Sequence, residues 1–277
     1  GTQGLDMKFM PELPPSSVYN NYPLTVMIEY RNGGATTINN GVIYLSGYDP
    51  GYLNLQSTQS GGNTWSISDL EGKSMYNPKG TYSEIAEFST DSVDVANIDE
   101  IDTFTQRIRA TACYEYVTKA FPDVCIDPTL GKGTLTDSVC EVHSISLSGG
   151  QGAPIAVTSV EQEMASGASG QSKVVFKITL KNVGGGTPFD ISRGVDNCHS
   201  ELTHKDVNVV NIDSVSFSGN SLNCRPSQLR LEGGSSFTIC DNSGNFGTEA
   251  FTTPLNIEIR YGYRNSIETS VKVVNAE

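Results

Sequence analysis

One pattern occurs twice in this chain, and it limits what the chain can fold into more than any other feature. Val26 to Gly34 reads as an alternating strand closed by Arg31, Asn32 and two glycines; Phe176 to Gly186 reads as an alternating strand closed by Lys181, Asn182, Val183 and three glycines. The two asparagines stand 150 positions apart. In each copy the strand follows a shorter alternating segment and a polar, turn-rich stretch: Leu5 to Met10 then Pro14 to Asn21, and Ile155 to Met164 then Ser166 to Lys173. A second matching pair, Arg107 to Tyr114 and Ile257 to Tyr263, starts at positions again 150 apart. Strand side chains alternate between two faces, so Val26, Ile28 and Tyr30 share one apolar face and Phe176, Ile178 and Leu180 share another. Half-wet strands of this kind bury their apolar faces by packing sheet on sheet. The repeat therefore predicts an all-β chain of two tandem immunoglobulin-like β-sandwiches.

The 277 residues exceed the usual size of a single domain, so two domains of about 100–150 residues each are expected. Ser148 to Pro154 is the one glycine-rich stretch between the copies, which sets the expected domains at 1–149 and 150–277. Splitting there leaves 8 basic and 18 acidic residues in the first half, a net −10, and 10 and 13 in the second, a net −3. An overall charge of −13 without a Lys/Arg cluster argues against nucleic acid as a partner. No apolar run is long enough to span a membrane, and Gly1 to Gly4 lacks the basic and apolar stretches of a signal peptide, so any targeting segment is expected to have been removed. No N-x-[S/T] sequon is present.

Six cysteines with no C-x-x-C pair suit disulfides and an oxidising, extracellular location. Reading Arg107 to Val117 and Phe121 to Ile126 as a hairpin around Thr118-Lys119-Ala120 sets Cys113 opposite Cys125, and the same exercise around Glu232 sets Cys224 opposite Cys240. Three cysteines fall on each side of Gly149, so at least one must pair across it or between molecules. Cys140 and Cys198 are left for that role, with a bridge between the domains favoured.

Enzyme signatures are missing: no G-x-S-x-G, G-x-G-x-x-G, P-loop or H-E-x-x-H occurs, and the expectation is a protein that is not an enzyme and needs no cofactor. Cys198-His199 with His204 fits no common zinc spacing and reads as a polar loop. Between Lys79 and Arg107 every charged residue is acidic. Asp91, Asp94, Asp99, Glu100 and Asp102 read by default as a solvated loop, with calcium as the alternative. Tyr44, Tyr48, Tyr52 and Trp65 lie among Gly, Ser and Asn, a composition that suits plain sheet-edge packing or, alternatively, a sugar- or protein-binding interface. Leu5, Met7 and Phe9 alternate with Asp6 and Lys8, so the segment is a strand. It either opens its own domain or inserts into a neighbouring subunit.

Alternating strands closed by a basic residue, Asn and Gly resemble the adhesion-type, CARDB-like immunoglobulin modules of archaeal and bacterial surface proteins. The wider layout, including Ala112-Cys113-Tyr114 and Ser148 to Pro154, is similar to that of secreted proteins of small-genome archaea. The resemblance implies no activity. These readings together point to a secreted or cell-surface protein whose expected role is a structural subunit of a filament or other surface assembly. Its partners would be copies of itself, joined head to tail because two unlike ends generate an open polymer. The alternative is an adhesin that binds a cell-surface glycan or protein.

Overall fold

The computed structural model describes residues 1–80, 82–95, 102–130, 139–166, 170–199 and 202–275. The chain is all-β, built from antiparallel sheets, and its helical content among the described residues consists of 3-10 turns such as Val195–Asn197. In chain order the strands are β1 (Leu5–Phe9), β2 (Ser17–Tyr19), β3 (Leu24–Asn32), β4 (Gly41–Ser46), β5 (Gln56–Ser57), β6 (Thr64–Ile67), β7 (Glu84–Thr90) and β8 (Thr103–Ala120). They continue with β9 (Asp123–Ile126), β10 (Ile145–Ser146), β11 (Ile155–Ser166), β12 (Ser172–Asn182), β13 (Thr187–Phe189), β14 (Val209–Phe217) and β15 (Asn220–Ser221). The last are β16 (Asn223–Arg225), β17 (Gln228–Arg230), β18 (Ser235–Gly244) and β19 (Phe251–Val274).

These elements form two compact units, each gathered from three stretches of chain. Unit I comprises Gln3–Glu115, Arg193–Leu202 and Tyr263–Glu277; unit II comprises Gly1–Thr2, Tyr116–Ser192 and Thr203–Gly262. The units therefore do not follow the linear division at Gly149. After Glu115 the long strand β8 enters unit II, and after Gly262 β19 enters unit I.

Unit I packs the sheet β1-β3-β7-β5 against a sheet of β6, β4, β8 and the end of β19, with β2 parallel to that end at Ser17↔Lys272. Val26, Ile28 and Tyr30 alternate inward on β3 as the pattern requires, joined by Leu5 and Met7 of β1 and Ala86 and Phe88 of β7. Opposite them lie Ile43 and Leu45 of β4 and Ala110, Ala112 and Tyr114 of β8. The repeated asparagine closes its strand by local chemistry. The Asn32 amide donates to the carbonyls of Thr36 at 2.7 Å and Leu70 at 3.0 Å, while its oxygen accepts from Gly34 N–H at 3.0 Å. Buried backbone groups must be paired, and one side chain satisfies three of them here. The Tyr114 hydroxyl accepts the Leu5 N–H at 3.0 Å, and the residue before it has to be glycine because a Cβ on Gly4 would overlap that hydroxyl.

Unit II repeats the plan. The sheet β10-β11-β12-β18-β16 faces a second layer of β14, β19, β9 and the end of β8. Phe176 of β12 meets Phe217 of β14 edge-on at 6.3 Å between ring centroids. Asn182 donates to the Gly186 carbonyl at 2.9 Å and accepts from Gly184 N–H at 3.2 Å, the same closure as at Asn32.

Three disulfides indicate maturation in an oxidising environment. Cys224–Cys240 forms as the register around Glu232 predicts, on directly paired residues of β16 and β18. The other two differ from expectation: Cys113 joins Cys198, and Cys125 joins Cys140. The expected hairpin at Thr118-Lys119-Ala120 does not form. Tight hairpin turns favour Gly or Asn in left-handed backbone, and this tripeptide has neither, so β8 runs on through Ala120. Cys125 is thereby carried into β9, which pairs with β19 in unit II, while Cys113 stays in unit I. One bridge does cross Gly149 in the sequence, as parity demands, but it is Cys113–Cys198, and both cysteines belong to unit I.

Candidate interaction surface

The residues singled out from sequence are mostly spent inside unit I. Leu5 and Met7 are buried, and β1 pairs with β3 of its own unit from Leu5↔Asn32 to Phe9↔Ile28. The segment is thus the first strand of its own sheet rather than one left free for a neighbour. Trp65 is half-buried on β6: its ring nitrogen donates to the Tyr30 hydroxyl at 3.1 Å, and its ring lies 6.4 Å from Phe88. Tyr30 in turn donates to the Glu84 carboxylate at 2.7 Å. Burial first, and this bond second, raise the Tyr30 pKa well above the ordinary phenol value.

Tyr44 is buried because residues 193–199 return from the second half of the chain and cover the outer face of β4. Its hydroxyl donates to the Val195 carbonyl at 2.8 Å, and its ring stacks on His199 at 4.0 Å. The Cys113–Cys198 bridge and a bond from Arg264 to the Cys198 carbonyl at 3.1 Å fasten the same segment. Alternation alone would leave Val42 and Tyr44 wet, and this cover explains why β4 is buried on both faces. It also places Cys198 in a disulfide and His199 against a ring. Burial and the charge of Asp196 raise the Tyr44 pKa well above its ordinary range.

Tyr52 packs edge-on against Phe104 at 5.6 Å, and burial raises the pKa of Tyr48. Tyr48 lines a hollow of about 290 Å³ together with Pro50, Asn54 and Gln56. Pro50, Asn54 and Gln56 also line a larger, polar hollow of about 1060 Å³, walled by Asn21, Thr58, Asp91 and Asp94. Of the acidic series, Asp91 and Asp94 therefore share one hollow. Asp102 accepts the Asn275 N–H on its backbone carbonyl at 2.8 Å, and Asp99 and Glu100 lie outside the described residues. Among the described residues no group of three or more His, Cys, Asp or Glu is arranged to hold a metal ion, and no helix is long and apolar enough to cross a membrane.

The surface that sequence reading missed lies on residues 71–80 and 82–83. Its base is pinned. Lys73 N–H bonds the Gly34 carbonyl at 2.7 Å, a Cβ on Gly72 would meet the Ala35 carbonyl carbon at 2.7 Å, and Gly80, at φ +82°, would bring a Cβ to 2.7 Å from the Asn32 carbonyl. Its tip is turned by paired backbone bonds between Ser74 and Asn77 at 3.0 and 3.2 Å. From this loop Met75, Tyr76 and Tyr82 stand 88, 95 and 94% exposed. Single exposed apolar residues are ordinary, but three large ones within eight positions on a backbone-pinned loop are the composition of a contact surface. The only sequence signal is Met75-Tyr76 between Lys73 and Lys79, a segment without strand alternation.

In comparisons with known proteins, no family model matches the chain and no curated protein is significantly similar to it.

Proposed function

We propose that this chain is a non-catalytic structural subunit of an extracellular surface assembly. The observation that carries the reading is the loop that holds Met75, Tyr76 and Tyr82 in water. An apolar tip fixed by its own backbone loses little conformational freedom when a partner covers it, so its burial contributes to association instead of being spent on ordering the loop. Disulfide cross-linking and the acidic balance of −13 suit a subunit outside the cell. The immunoglobulin-like character of the units belongs to the same reading.

Size-exclusion chromatography with light scattering tests it. The chain associates more as concentration rises, and the double substitution Met75→Ser, Tyr76→Ser abolishes association while Trp65 emission stays native. Equal association of the variant, or a strictly monomeric parent chain, refutes the reading. Electron microscopy of native cell-surface material provides the second check, with fibres or an ordered coat as the expected result.

A second reading is favoured by the polar hollow of about 1060 Å³, whose amide, hydroxyl and carboxylate lining suits a glycan. Glycan-array binding that Asn54→Ala and Asp91→Ala abolish, by a chain that stays monomeric, would favour an adhesin.

A further inference from the structure

Unit II contains a hollow of about 890 Å³, lined by Gln162, Glu163 and Met164 of β11, by Asp127 and Leu130 beyond β9, and by Cys140 to Val142. Bonds within the chain hold these walls in place. The Cys125–Cys140 disulfide ties two of them, and the Asp127 N–H bonds Met164 Sδ at 3.1 Å. Asp127 Oδ1 accepts the N–H and the hydroxyl of Thr129 at 2.9 and 2.6 Å. A site shaped in advance loses little ordering entropy when a ligand enters.

One wall carries an unmet hydrogen-bonding demand. Gln162 is 8% exposed, and its amide donates to the Cys125 carbonyl at 2.5 Å, while its Oε1 is buried and has no donor. Turning the amide over would set Oε1 against that carbonyl, so the orientation is fixed and the oxygen is the atom left unpaired. Buried polar atoms without a partner are rare in folded chains because water is lost and nothing replaces it.

The charged groups of the hollow all have one sign. Asp127 is buried, Glu141 and Glu163 are exposed at the rim, and among the described lining residues there is no Lys, Arg or His. A concave surface lined by one sign of charge concentrates the opposite ion, and ionised carboxylates accept hydrogen bonds without donating any. A water molecule could donate to Gln162 Oε1, but it is neutral and leaves three carboxylates unbalanced. The other lining is apolar: Leu130, Val142, Met164 and the disulfide sulfur of Cys140.

We propose that this hollow binds an organic cation made of an N–H-bearing ammonium head on an apolar stem. The head donates to Gln162 Oε1 and meets the carboxylates, and the stem covers Leu130, Val142 and Met164. An anion would be repelled, and a quaternary ammonium would satisfy the charge while leaving Gln162 Oε1 without a donor. The site belongs to unit II, whereas the exposed Met75 and Tyr76 belong to unit I, so it stands whether or not the chain assembles.

The test uses the full chain labelled with methyl-carbon-13 methionine, the Met164 signal being assigned by its loss in Met164→Leu. Hexylammonium should shift that signal saturably and leave the Met75 signal unmoved. Hexyltrimethylammonium, with the same charge and stem but no N–H, should bind about tenfold more weakly, and hexanoate should not bind. Glu141→Gln with Glu163→Gln, both at exposed positions, should weaken hexylammonium by about three- to tenfold. Gln162→Met should remove the preference for hexylammonium over its trimethyl analogue; if that variant does not fold, the ligand series and the carboxylate variant still decide. An acetylated and amidated Gly-Lys-Gly peptide separates the sources. Tighter binding than hexylammonium names a lysine side chain of another protein, weaker binding names a free amine, and both sustain the site. No shift of Met164, equal binding of all three hexyl compounds, or equal shifts of Met75 and Met164 overturns the proposal.

Discussion

Cutting the chain after Gly262 removes only its last fifteen residues, all assigned to unit I, and should unfold most of that unit although residues 3–115 remain intact. The deleted strand buries Tyr263, Val271 and Val273 almost completely. At about 1.5–3 kcal/mol for each buried side chain, their loss amounts to about 5–9 kcal/mol, an upper estimate because unfolded chains already bury some surface. The Asn265–Leu5 and Thr111–Ser266 hydrogen bonds add about 1 kcal/mol apiece. The Arg109–Glu268 pair is solvent-exposed and adds almost nothing. A typical domain is stable by about 5–15 kcal/mol, so the deletion takes most or all of what unit I has. The chain's single tryptophan, Trp65, sits in that unit against Phe88 and reports its state alone. The truncated chain should show red-shifted emission and no cooperative urea transition in that signal, and adding a peptide of residues 260–275 should restore both. A truncated chain that keeps native emission, with a transition within about 1 kcal/mol of the full chain, would refute the shared-strand account and favour a self-sufficient first half.

Three further outcomes are expected. Tyr114→Phe leaves the buried Leu5 N–H without its acceptor and should lower stability by about 1–3 kcal/mol in urea titration; an unchanged midpoint would mean this bond is idle. Replacing Cys113 and Cys198 together by Ala opens a loop spanning 85 residues and should cost about 4–5 kcal/mol on the chain-entropy account, read from thermal or urea unfolding of Trp65 emission. Tyr30 and Tyr44 have pKa values raised by burial, so above about pH 10 the folded chain holds protons that the unfolded chain releases. Their contribution to stability is complete below that pH and is lost as pH rises through their folded values. Urea midpoints should therefore be level up to about pH 9.5 and fall beyond it, less steeply in Tyr44→Phe; a midpoint level to pH 11 would contradict the burial of both hydroxyls.

Much of the fold was legible in the linear chain because it is specified locally. Alternation on β3 and β12 places Val26, Ile28, Phe176 and Ile178 inside, and it does so without reference to any partner. Asn32 and Asn182 close their strands through groups within four residues, apart from one bond to Leu70, so the repeat itself announced the closure. Cys224 and Cys240 could be paired because the count around Glu232 matches the antiparallel register of β16 and β18, although β17 between them pairs with β14. The exposed Met75 and Tyr76 were not legible, since a segment without strand alternation does not say which side of the fold its apolar residues meet.

The remaining outcomes were decided only in three dimensions, and the reason is common to all of them. An open sheet edge presents N–H and C=O groups that any extended segment can pair, so the sequence of β8 does not name its neighbour. Near Ala120 the absence of a turn residue lets β8 continue into the other unit, and β19 does the same past Gly262. That continuation separates Cys113 from Cys125, and the return of residues 193–199 over β4 brings Cys198 to Cys113 and hides Tyr44. Local periodicity determined which face of each strand is buried; which strand completes each sheet was decided by tertiary pairing of backbone groups that carry no sequence label.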